Sequence, residues 1–340
     1  MSILTPFKKL NPTHYVTTWR SPSNIAFVKY WGKKGHQLPA NPSLSMTLKE
    51  CFTETSVTFS PAECLSVELY LDGKKEDKFA EKIQKYLFSL SDLTWLGKVS
   101  FQIHTKNTFP HGTGIASSAS GLSAFALCLT DYLFFLSGED CDFFQVAGHL
   151  SRLASGSACR SVYGGFTSWG SVSDYFATPF EVHSEMNHLR DSIIVINDKE
   201  KKISSTAGHG RMNDHAFANA RFDQAKKNFD LMSSALKSGD TDQMGLLLES
   251  EALTLHAMMM TSPDAYFLLR PNTLLAIEMI WAFRRETKLP LYFTLDAGPN
   301  LHLIYPDDVG DKIRTFISHE LSPFAVKVIE DQRGEGPQKC

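Results

Sequence analysis

The chain has 340 residues, of which 43% are hydrophobic, and its 34 basic and 37 acidic side chains give a formal net charge of −3. This length accommodates one large domain or two medium ones with apolar cores. The balanced charge, without a basic block interleaved with aromatic residues, argues against nucleic-acid binding. Six scattered cysteines without a C-x-x-C pair favour a reducing compartment over a disulfide framework or a zinc site.

Neither the N-terminus nor the apolar runs predict membrane insertion. The first residues, MSILTPFKKLNPTHYV, lack the long apolar segment of a signal peptide. The longest apolar run, Leu122–Leu136, is interrupted by Thr130 and Asp131 and is shorter than a membrane span. We therefore expect a soluble, globular, cytoplasmic protein.

Periodic patterns predict strands and helices in both halves of the chain. The first half predicts strands at 53–59, 65–71 and 99–103, and helices at 78–90, 122–136 and 142–154. The second half predicts a strand at 192–197, helices at 214–238, 240–259 and 272–287, and two strands around a Gly-Pro turn within 291–305. A last helix and strand precede a glycine-rich tail at 334–338. This order predicts an α+β protein with lobes at 1–190 and 191–340 and a cleft between them.

The stretch Phe109–Gly121, FPHGTGIASSASG, connects a predicted strand to the apolar helix. A glycine-rich loop before a helix presents backbone N–H groups and the positive end of the helix dipole, which favours phosphate binding. One serine would suffice as an N-cap, so the three serines at 117, 118 and 120 favour a phosphate site over a simple cap.

The same stretch leaves a second class of nucleotide site open. Gly112-Thr113-Gly114-x-x-Ser117 is close to the Gly-x-Gly-x-x-Gly of dinucleotide folds, and Asp131 follows at about the expected spacing of 20 residues. The third glycine is replaced by serine, and the segment lies in mid-chain, which weakens this interpretation. A Walker A loop is excluded because no lysine follows the last glycine. Taken alone, the loop does not separate a kinase from a dehydrogenase.

Three further segments carry candidate chemistry. Lys29 lies in the apolar run NIAFVKYW, where a lysine must be paired, functional or able to reach solvent along its stem. Arg160, in SGSACRS at 155–161, offers a fork for phosphate or carboxylate, or belongs to a surface turn. The hydroxyl-rich segment SSTAG at 204–208 predicts a turn.

Asp296 ends a predicted strand before Gly-Pro, a position typical of an Asx turn. Its neighbours Phe293 and Leu295 are apolar, so a charge there needs a cationic partner, and Lys29 or Arg160 would serve. A carboxylate held by a lysine could orient or deprotonate a hydroxyl, as phosphoryl transfer to an alcohol requires. The helical pattern around His149, His256 and the methionines at 258–260 predicts core positions.

Together these segments resemble the GHMP kinase superfamily and, within it, the mevalonate diphosphate decarboxylases. The resemblance rests on NIAFVKYWGK with NPSLSMTL, GIASSASG, SGSACRSVYGGF, SSTAG, DAGPN and GEGPQ, in the family's order over residues 23–338. It implies a two-lobed GHMP kinase fold, with an N-terminal lobe like domain 2 of ribosomal protein S5 and a ferredoxin-like C-terminal lobe.

The resemblance also implies an activity. This is ATP-dependent decarboxylation of mevalonate 5-diphosphate to isopentenyl diphosphate, CO₂, ADP and phosphate, in the mevalonate route of isoprenoid biosynthesis, with ATP and Mg²⁺ and as a homodimer. The alternatives are a decarboxylase of mevalonate 5-phosphate, a small-molecule kinase of the same fold that does not decarboxylate, and a nucleotide-binding regulator or dinucleotide-dependent enzyme.

The family implies a role for individual residues of this chain. Asp296 would be the catalytic base, Lys29 its partner, and Arg160 a contact of the substrate carboxylate. The substrate-binding residues would be Tyr30, Trp31, Gly32, Lys33, Lys82, Ser155, Gly156, Ser157, Ala158, Cys159, Arg160, Ser205 and Thr206. The ATP-binding residues would be Pro110, His111, Gly112, Thr113, Gly114, Ile115, Ala116, Ser117 and Ser118, with the Ser118 hydroxyl near Mg²⁺. The chain departs from the family at His111-Gly112, where many members carry Thr-Ala, and at Thr206, where some have arginine.

Overall fold

The structure, a computed structural model, describes residues 3–110, 115–199, 203 and 205–340. Within them the strands are β1 (Tyr15–Val28), β2 (Lys33–Lys34), β3 (Leu38–Pro39), β4 (Ser43–Pro61), β5 (Ser66–Leu71), β6 (Lys74–Lys75), β7 (Val99–Asn107), β8 (Phe166–Trp169), β9 (Thr178–Pro179), β10 (Leu189–Val195), β11 (Tyr292–Thr294), β12 (Leu301–Pro306), β13 (Lys327–Gln332) and β14 (Gln338–Lys339). The α-helices are α1 (Asp77–Ser89), α2 (Ser117–Ser137), α3 (Phe143–Ala154), α4 (Ser205–Gly210), α5 (Ala218–Ser238), α6 (Thr241–Met260), α7 (Pro271–Thr287) and α8 (Gly310–Phe316).

The first lobe is a mixed sheet covered by helices. Its strands run in the order β14-β1-β4-β7-β5-β6, antiparallel except for the parallel pair β5 and β7. Every second residue of β4 between Thr53 and Phe59 is buried, as a strand with one face on a core requires. The core between this sheet and α1, α2 and α3 contains Phe59, Phe101 and Phe125.

Helix α2 is the central helix of this lobe. It begins at Ser117, five residues before the predicted start, because the small residues at 117–121 are helical rather than part of the loop. Its 21 residues are long and apolar enough to cross a membrane by length and composition, which the sequence pattern did not predict. However, 72% of the apolar window is buried inside the protein, where an apolar surface on all sides packs against the sheet and neighbouring helices.

The second lobe is an antiparallel sheet in the order β11-β12-β10-β13. The predicted strands around the Gly-Pro turn form β11 and β12, with Tyr292 opposite Ile304. One face, including Ile193 and Ile304, packs with α5, α6 and strand β1 of the first lobe. The other face, including Ile194, packs against α7 and α8. Helices and sheet in each lobe agree with the predicted α+β class.

The chain returns to the first lobe at its C-terminus. In the register of β1 and β14, Trp19 lies opposite Lys339. On β13, the carboxylate of Asp331 accepts backbone N–H groups of Lys49, Glu50 and Cys51 at 2.8–2.9 Å. The two sheets are therefore joined by hydrogen bonds as well as by the shared core, and the ends of β1 and β11 meet beside α6.

Candidate active site

Lys29 and Asp296 form an ion pair where the two lobes meet. Lys29 follows the last residue of β1, and Asp296 follows β11 by two residues. The Lys29 Nζ donates to Asp296 Oδ1 at 2.9 Å and to the Ala26 carbonyl at 2.7 Å. The lysine side chain is only 2% exposed, whereas that of Asp296 is 23% exposed. Lys29 is therefore paired rather than extended to solvent, and the carboxylate keeps an open side.

The pair sets the ionisation of both groups. Burial lowers the pKa of Lys29, although the charge and hydrogen bond of Asp296 oppose that effect. Burial would raise the pKa of Asp296, but the charge and hydrogen bond of Lys29 outweigh it and hold that pKa below its usual range. Asp296 is therefore a carboxylate at neutral pH and can accept a proton.

The backbone of Asp296 is held by two donors. Its carbonyl oxygen accepts the Gly298 N–H at 2.7 Å and a hydrogen bond from His256 Nε2 at 3.1 Å. Burial lowers the pKa of His256 to about 4, so the ring is neutral at pH 7 and carries its hydrogen on Nε2 in order to donate. The predicted core position of His256 is confirmed by its 1% exposure. The contact with Asp296 was not predicted.

Arg160 is a buried cation beside this pair. It lies in a 3₁₀ segment, Gly156–Val162, and is 3% exposed, so the alternative of a surface turn is wrong. Its guanidinium donates to Ser43 Oγ at 2.9 Å and to Asn24 Oδ1 at 3.3 Å. Among the described residues no carboxylate oxygen lies within 4.0 Å of it. Burial lowers the pKa of Arg160, although the charge of Asp296 opposes that effect. A buried guanidinium with neutral partners is suited to an anionic ligand.

Tyr30 forms the next part of the wall. Its ring lies edge-on to Trp169 at 4.7 Å between centroids, and its buried hydroxyl has no hydrogen-bond partner among the described residues. A Cβ at Gly156 would lie 2.6 Å from this hydroxyl, so only glycine fits there. Gly32 has φ of +105°, and a Cβ there would lie 2.6 Å from the Phe222 ring. Both predicted glycines are therefore required by close approach.

The other residues of SGSACRS differ in how much of each is available to a ligand. Ser155 and Ser157 are half-buried at the start of the 3₁₀ segment. Ala158 and Cys159, which the family resemblance also assigned to substrate, have fully buried side chains in the core. From these two positions only backbone atoms remain for a ligand.

Helix α4 replaces the turn predicted at 204–208. Residues 205–210 are helical, and Ser204 lies outside the described residues. A Cβ at Gly208 would lie 2.6 Å from the Trp31 ring, so the helix packs directly on the Tyr30–Lys33 segment. Ser205 and Thr206 lie in its first turn.

His209 is a residue of this site that the sequence did not indicate. It is 6% exposed, and its ring lies 4.4 Å from Tyr30 and 4.6 Å from Trp31 between centroids. Its Nδ1 accepts the Gly32 N–H at 3.0 Å. A lone histidine after a hydroxyl-rich segment carries no local signal of such a contact, which joins residues 177 positions apart.

A cavity lies in the first lobe beside the predicted phosphate loop. Ser117, Ser118 and Lys82 line it together with Thr53, Thr55, Leu69, Leu71, Phe79, Ile83, Ile103, Thr105, Asn107, Gly121, Leu122 and Phe125. Burial lowers the pKa of Lys82, and burial together with the charge of Lys82 lowers the pKa of Lys33. Lys82 therefore lines this cavity and lies within electrostatic range of Lys33.

The residues of the predicted phosphate loop divide into three groups. His111, Gly112, Thr113 and Gly114 lie outside the described residues, between Pro110 and Ile115. Ser118 is exposed on the first turn of α2, and Ala116 before it adopts a left-handed φ of +49°. The Ile115 side chain belongs to the core, and its carbonyl accepts Ser23 Oγ at 2.7 Å.

Ser120 does not support the phosphate site as predicted. It is fully buried, and its hydroxyl lies 2.7 Å from Thr53 Oγ1. Since α2 already begins at Ser117, Ser120 lies one turn inside the helix on its core side. The hydroxyls available to a ligand at this end of α2 are therefore fewer than the composition indicated.

The alternative of a dinucleotide fold is wrong. Asp131 would have to face the glycine loop, but it lies about four turns along α2 from Ser117. There its carboxylate accepts hydrogen bonds from Thr17 and from Lys339, the latter at 2.9 Å. Asp131 joins α2 to β1 and β14 and has no access to a ribose at the loop.

Known proteins match this chain over both lobes. The diphosphomevalonate decarboxylase-like N-terminal domain matches residues 21–184, and the mevalonate 5-diphosphate decarboxylase C-terminal domain matches residues 192–338. Diphosphomevalonate decarboxylase of Danio rerio is 30% identical over 348 residues, which cover 96% of this chain and 84% of the relative.

Solved structures agree with this assignment. The crystal structure of mevalonate diphosphate decarboxylase from Staphylococcus aureus has a TM-score of 0.86 and 28% identity, and the match covers 96% of this chain and 98% of that one. MDDEF in complex with MVAPP, AMPPCP and magnesium has a TM-score of 0.85 and 29% identity, with 96% and 99% coverage. These neighbours confirm the predicted two-lobed GHMP kinase fold. The chain belongs to the diphosphomevalonate decarboxylase family.

Proposed function

We propose that this protein catalyses the ATP-dependent decarboxylation of mevalonate 5-diphosphate to isopentenyl diphosphate, CO₂, ADP and phosphate. The observation that carries the proposal is the Lys29–Asp296 pair, at 2.9 Å, in which the lysine is buried and the carboxylate keeps an exposed side. An ionised carboxylate with an open face is what a general base for an alcohol requires. The structurally similar MDDEF was solved with MVAPP, AMPPCP and magnesium.

In this proposal the oxygen of the substrate's tertiary hydroxyl attacks the terminal phosphate of ATP and displaces ADP. Asp296 accepts the proton of that hydroxyl. Lys29 keeps Asp296 charged until that step, and His256 and Gly298 hold its backbone. Phosphorylation turns the hydroxyl into a good leaving group. When the carbon–oxygen bond breaks, the electrons of the bond to the carboxyl carbon form the new double bond, and CO₂ departs.

Arg160 is proposed to bind the substrate carboxylate. Its guanidinium is buried among neutral partners and lies within electrostatic range of Asp296, so it can hold a carboxylate beside the base. The Tyr30 hydroxyl and the positive charge of Lys33 are proposed to bind the phosphate end, with Gly156 and helix α4 closing the wall. Oriented cations supply most of the stabilisation that phosphoryl transfer needs.

The first-lobe cavity is the proposed site of ATP. Its apolar wall suits the adenine ring of the nucleotide. The N-terminus of α2, with Ser117, Ser118 and Lys82, suits the phosphates. The described residues contain no group of three His, Cys, Asp or Glu side chains that could hold a metal ion. Mg²⁺ fits the site nevertheless, because nucleotide phosphates and water supply most of its ligands. Ser118 is the side chain proposed to hold it, and the ion would neutralise charge on the transferred phosphate.

Two finer points of the proposal rest on the family alone. The preference for the diphosphate over the monophosphate rests on family membership. Thr206 stands where some members have an arginine, so this residue does not supply a positive charge that would favour the diphosphate. A homodimer is proposed on the resemblance, whereas a cytoplasmic location is proposed on the composition of the chain.

Identification of the organic product tests this function. The protein is incubated with ATP, Mg²⁺ and mevalonate 5-diphosphate, and the product is analysed by mass spectrometry. Isopentenyl diphosphate is expected. A stable phosphorylated acid that retains its carboxyl group would instead indicate the kinase alternative. ATP binding without turnover of either phosphorylated mevalonate would indicate a regulator.

A further inference from the structure

Helices α5 and α6 carry a fully buried ion pair, Arg221–Glu251, directly behind the end of β1. Arg221 Nη1 donates to Glu251 Oε1 at 2.9 Å, and Nη2 donates to Oε2 at 2.6 Å. Both side chains are 0% exposed. Such a bidentate pair fixes the orientation of its carboxylate.

The Glu251 carboxylate reaches the active site through the backbone. Its Oε2 accepts the N–H of Lys29 at 2.8 Å, and its Oε1 accepts Asn228 Nδ2 at 2.7 Å. On the other side of the same residue, the Lys29 carbonyl accepts Asn41 Nδ2 at 3.0 Å. The peptide groups of Lys29 are therefore held on both sides, one of them by a charged acceptor from the second lobe.

A buried ion pair is weak evidence for stability, because desolvation offsets most of the attraction between its charges. Its contacts indicate its role better. We propose that Glu251, oriented by Arg221, is a positioning residue that fixes the backbone and the charge of Lys29 and thereby the Lys29–Asp296 geometry. This inference rests on the proposed function, in which that geometry supplies the base.

The charges around Lys29 support the same role. The titratable or charged groups that face it are Asp296, Glu251, Arg160 and the neutral His256. Burial lowers the pKa of Lys29, and the charges of Asp296 and then Glu251 raise it. Neutralising Glu251 removes one of these two anions, so the pKa of Lys29 falls further. A neutral Lys29 no longer holds Asp296 as a charged base.

The same helix offers a matched control. Two residues before Glu251, Glu249 forms a bidentate pair with Arg284 at 2.6 and 3.0 Å and accepts Trp281 Nε1 at 2.9 Å. Its side chain is 7% exposed. None of these bonds involves Lys29. Glu249→Gln thus removes a comparable charge from a comparable pair at a place without contact to the site.

The test compares Glu251→Gln with Glu249→Gln in the full chain. We expect Glu251→Gln to lower kcat about tenfold or more, since small misplacements of reacting groups have effects of this size, with KM for both substrates within about twofold. The alkaline limb of the pH profile of kcat, which we assign to loss of the proton from Lys29, should move to lower pH. Glu249→Gln should lower the melting temperature but leave kcat and that limb unchanged. Equal effects of the two variants on kcat, or an unshifted limb in Glu251→Gln, would overturn the proposal.

Two further measurements keep the outcome decisive. If Glu251→Gln does not fold, the double variant Arg221→Met/Glu251→Gln is assayed instead, because it removes both charges of the pair. The same shift of the alkaline limb to lower pH is expected. NMR titration of the ¹⁵N-labelled Lys29 ammonium group needs no activity. A lower pKa of Lys29 in the Glu251→Gln variant supports the inference even if wild-type turnover refutes the proposed function, and an unchanged pKa contradicts it.

Discussion

Replacing Asp296 by asparagine removes one negative charge from the site and nearly preserves the shape of the side chain. The amide oxygen can still accept the Lys29 Nζ hydrogen bond, which is 2.9 Å long in the wild type. The amide cannot accept a proton from a hydroxyl. Arg160 and the Tyr30–Lys33 segment, which are proposed to bind the substrate, keep their contacts.

The structure gives a magnitude for this change. Loss of a positioned general base lowers kcat by about 10²- to 10⁴-fold. At 2.9 Å and an effective dielectric constant of about 20, the lost attraction to Lys29 is about 6 kcal/mol before solvation is counted. Because Asp296 is 23% exposed and the amide retains a hydrogen bond, we expect a net loss of only about 1–3 kcal/mol in the free energy of unfolding.

The assay measures ATP-dependent CO₂ release at saturating substrate, together with substrate affinity by calorimetry and the melting temperature. We expect kcat to fall by at least about 100-fold in Asp296→Asn, with substrate affinity within about threefold of the wild type. Asp307→Asn is the control, because Asp307 forms an exposed ion pair with Arg190 in the same lobe. A folded Asp296→Asn protein with kcat within about tenfold of the wild type would refute the assignment of the base.

Two other substitutions test the walls of the site. Arg160→Gln keeps hydrogen-bonding capacity but removes the charge, so KM for the phosphorylated mevalonate should rise about 10- to 100-fold while KM for ATP stays unchanged; a parallel rise in both would contradict the assignment. His209→Phe keeps a ring beside Tyr30 but removes the acceptor of the Gly32 N–H, and should raise substrate KM about five- to tenfold. His209→Asn, which retains an acceptor near the same point, should restore most of that loss, and equal KM values for the two variants would show that the bond to Gly32 has no role.

The ion pair at the site was accessible from the sequence because each partner conflicts with its surroundings. A lysine within NIAFVKYW and an aspartate after Phe293 and Leu295 both require a partner of opposite charge, whatever the fold. That requirement predicted a basic partner for Asp296, with Lys29 as one candidate. Arg160 was a second possible partner of Asp296, and only the structure shows that Lys29 makes the bond.

The supporting contacts were not accessible, because they join distant segments without a local pattern. Glu251 lies 222 positions from Lys29, and a single glutamate in a mixed helical segment resembles any solvated one. Ser120 shows the opposite failure. The small, hydroxyl-rich segment around it indicated a place in the phosphate loop. Because α2 begins at Ser117 instead of the predicted Leu122, Ser120 lies inside the helix and faces the core.

The ratio of CO₂ to ADP distinguishes ATP-dependent decarboxylation from phosphorylation alone. Both products are counted in the same reaction, first with mevalonate 5-diphosphate and then with mevalonate 5-phosphate. We expect equal amounts of CO₂ and ADP with the diphosphate and a higher kcat/KM for it than for the monophosphate. Formation of ADP without CO₂, or a higher kcat/KM for the monophosphate, would contradict this expectation.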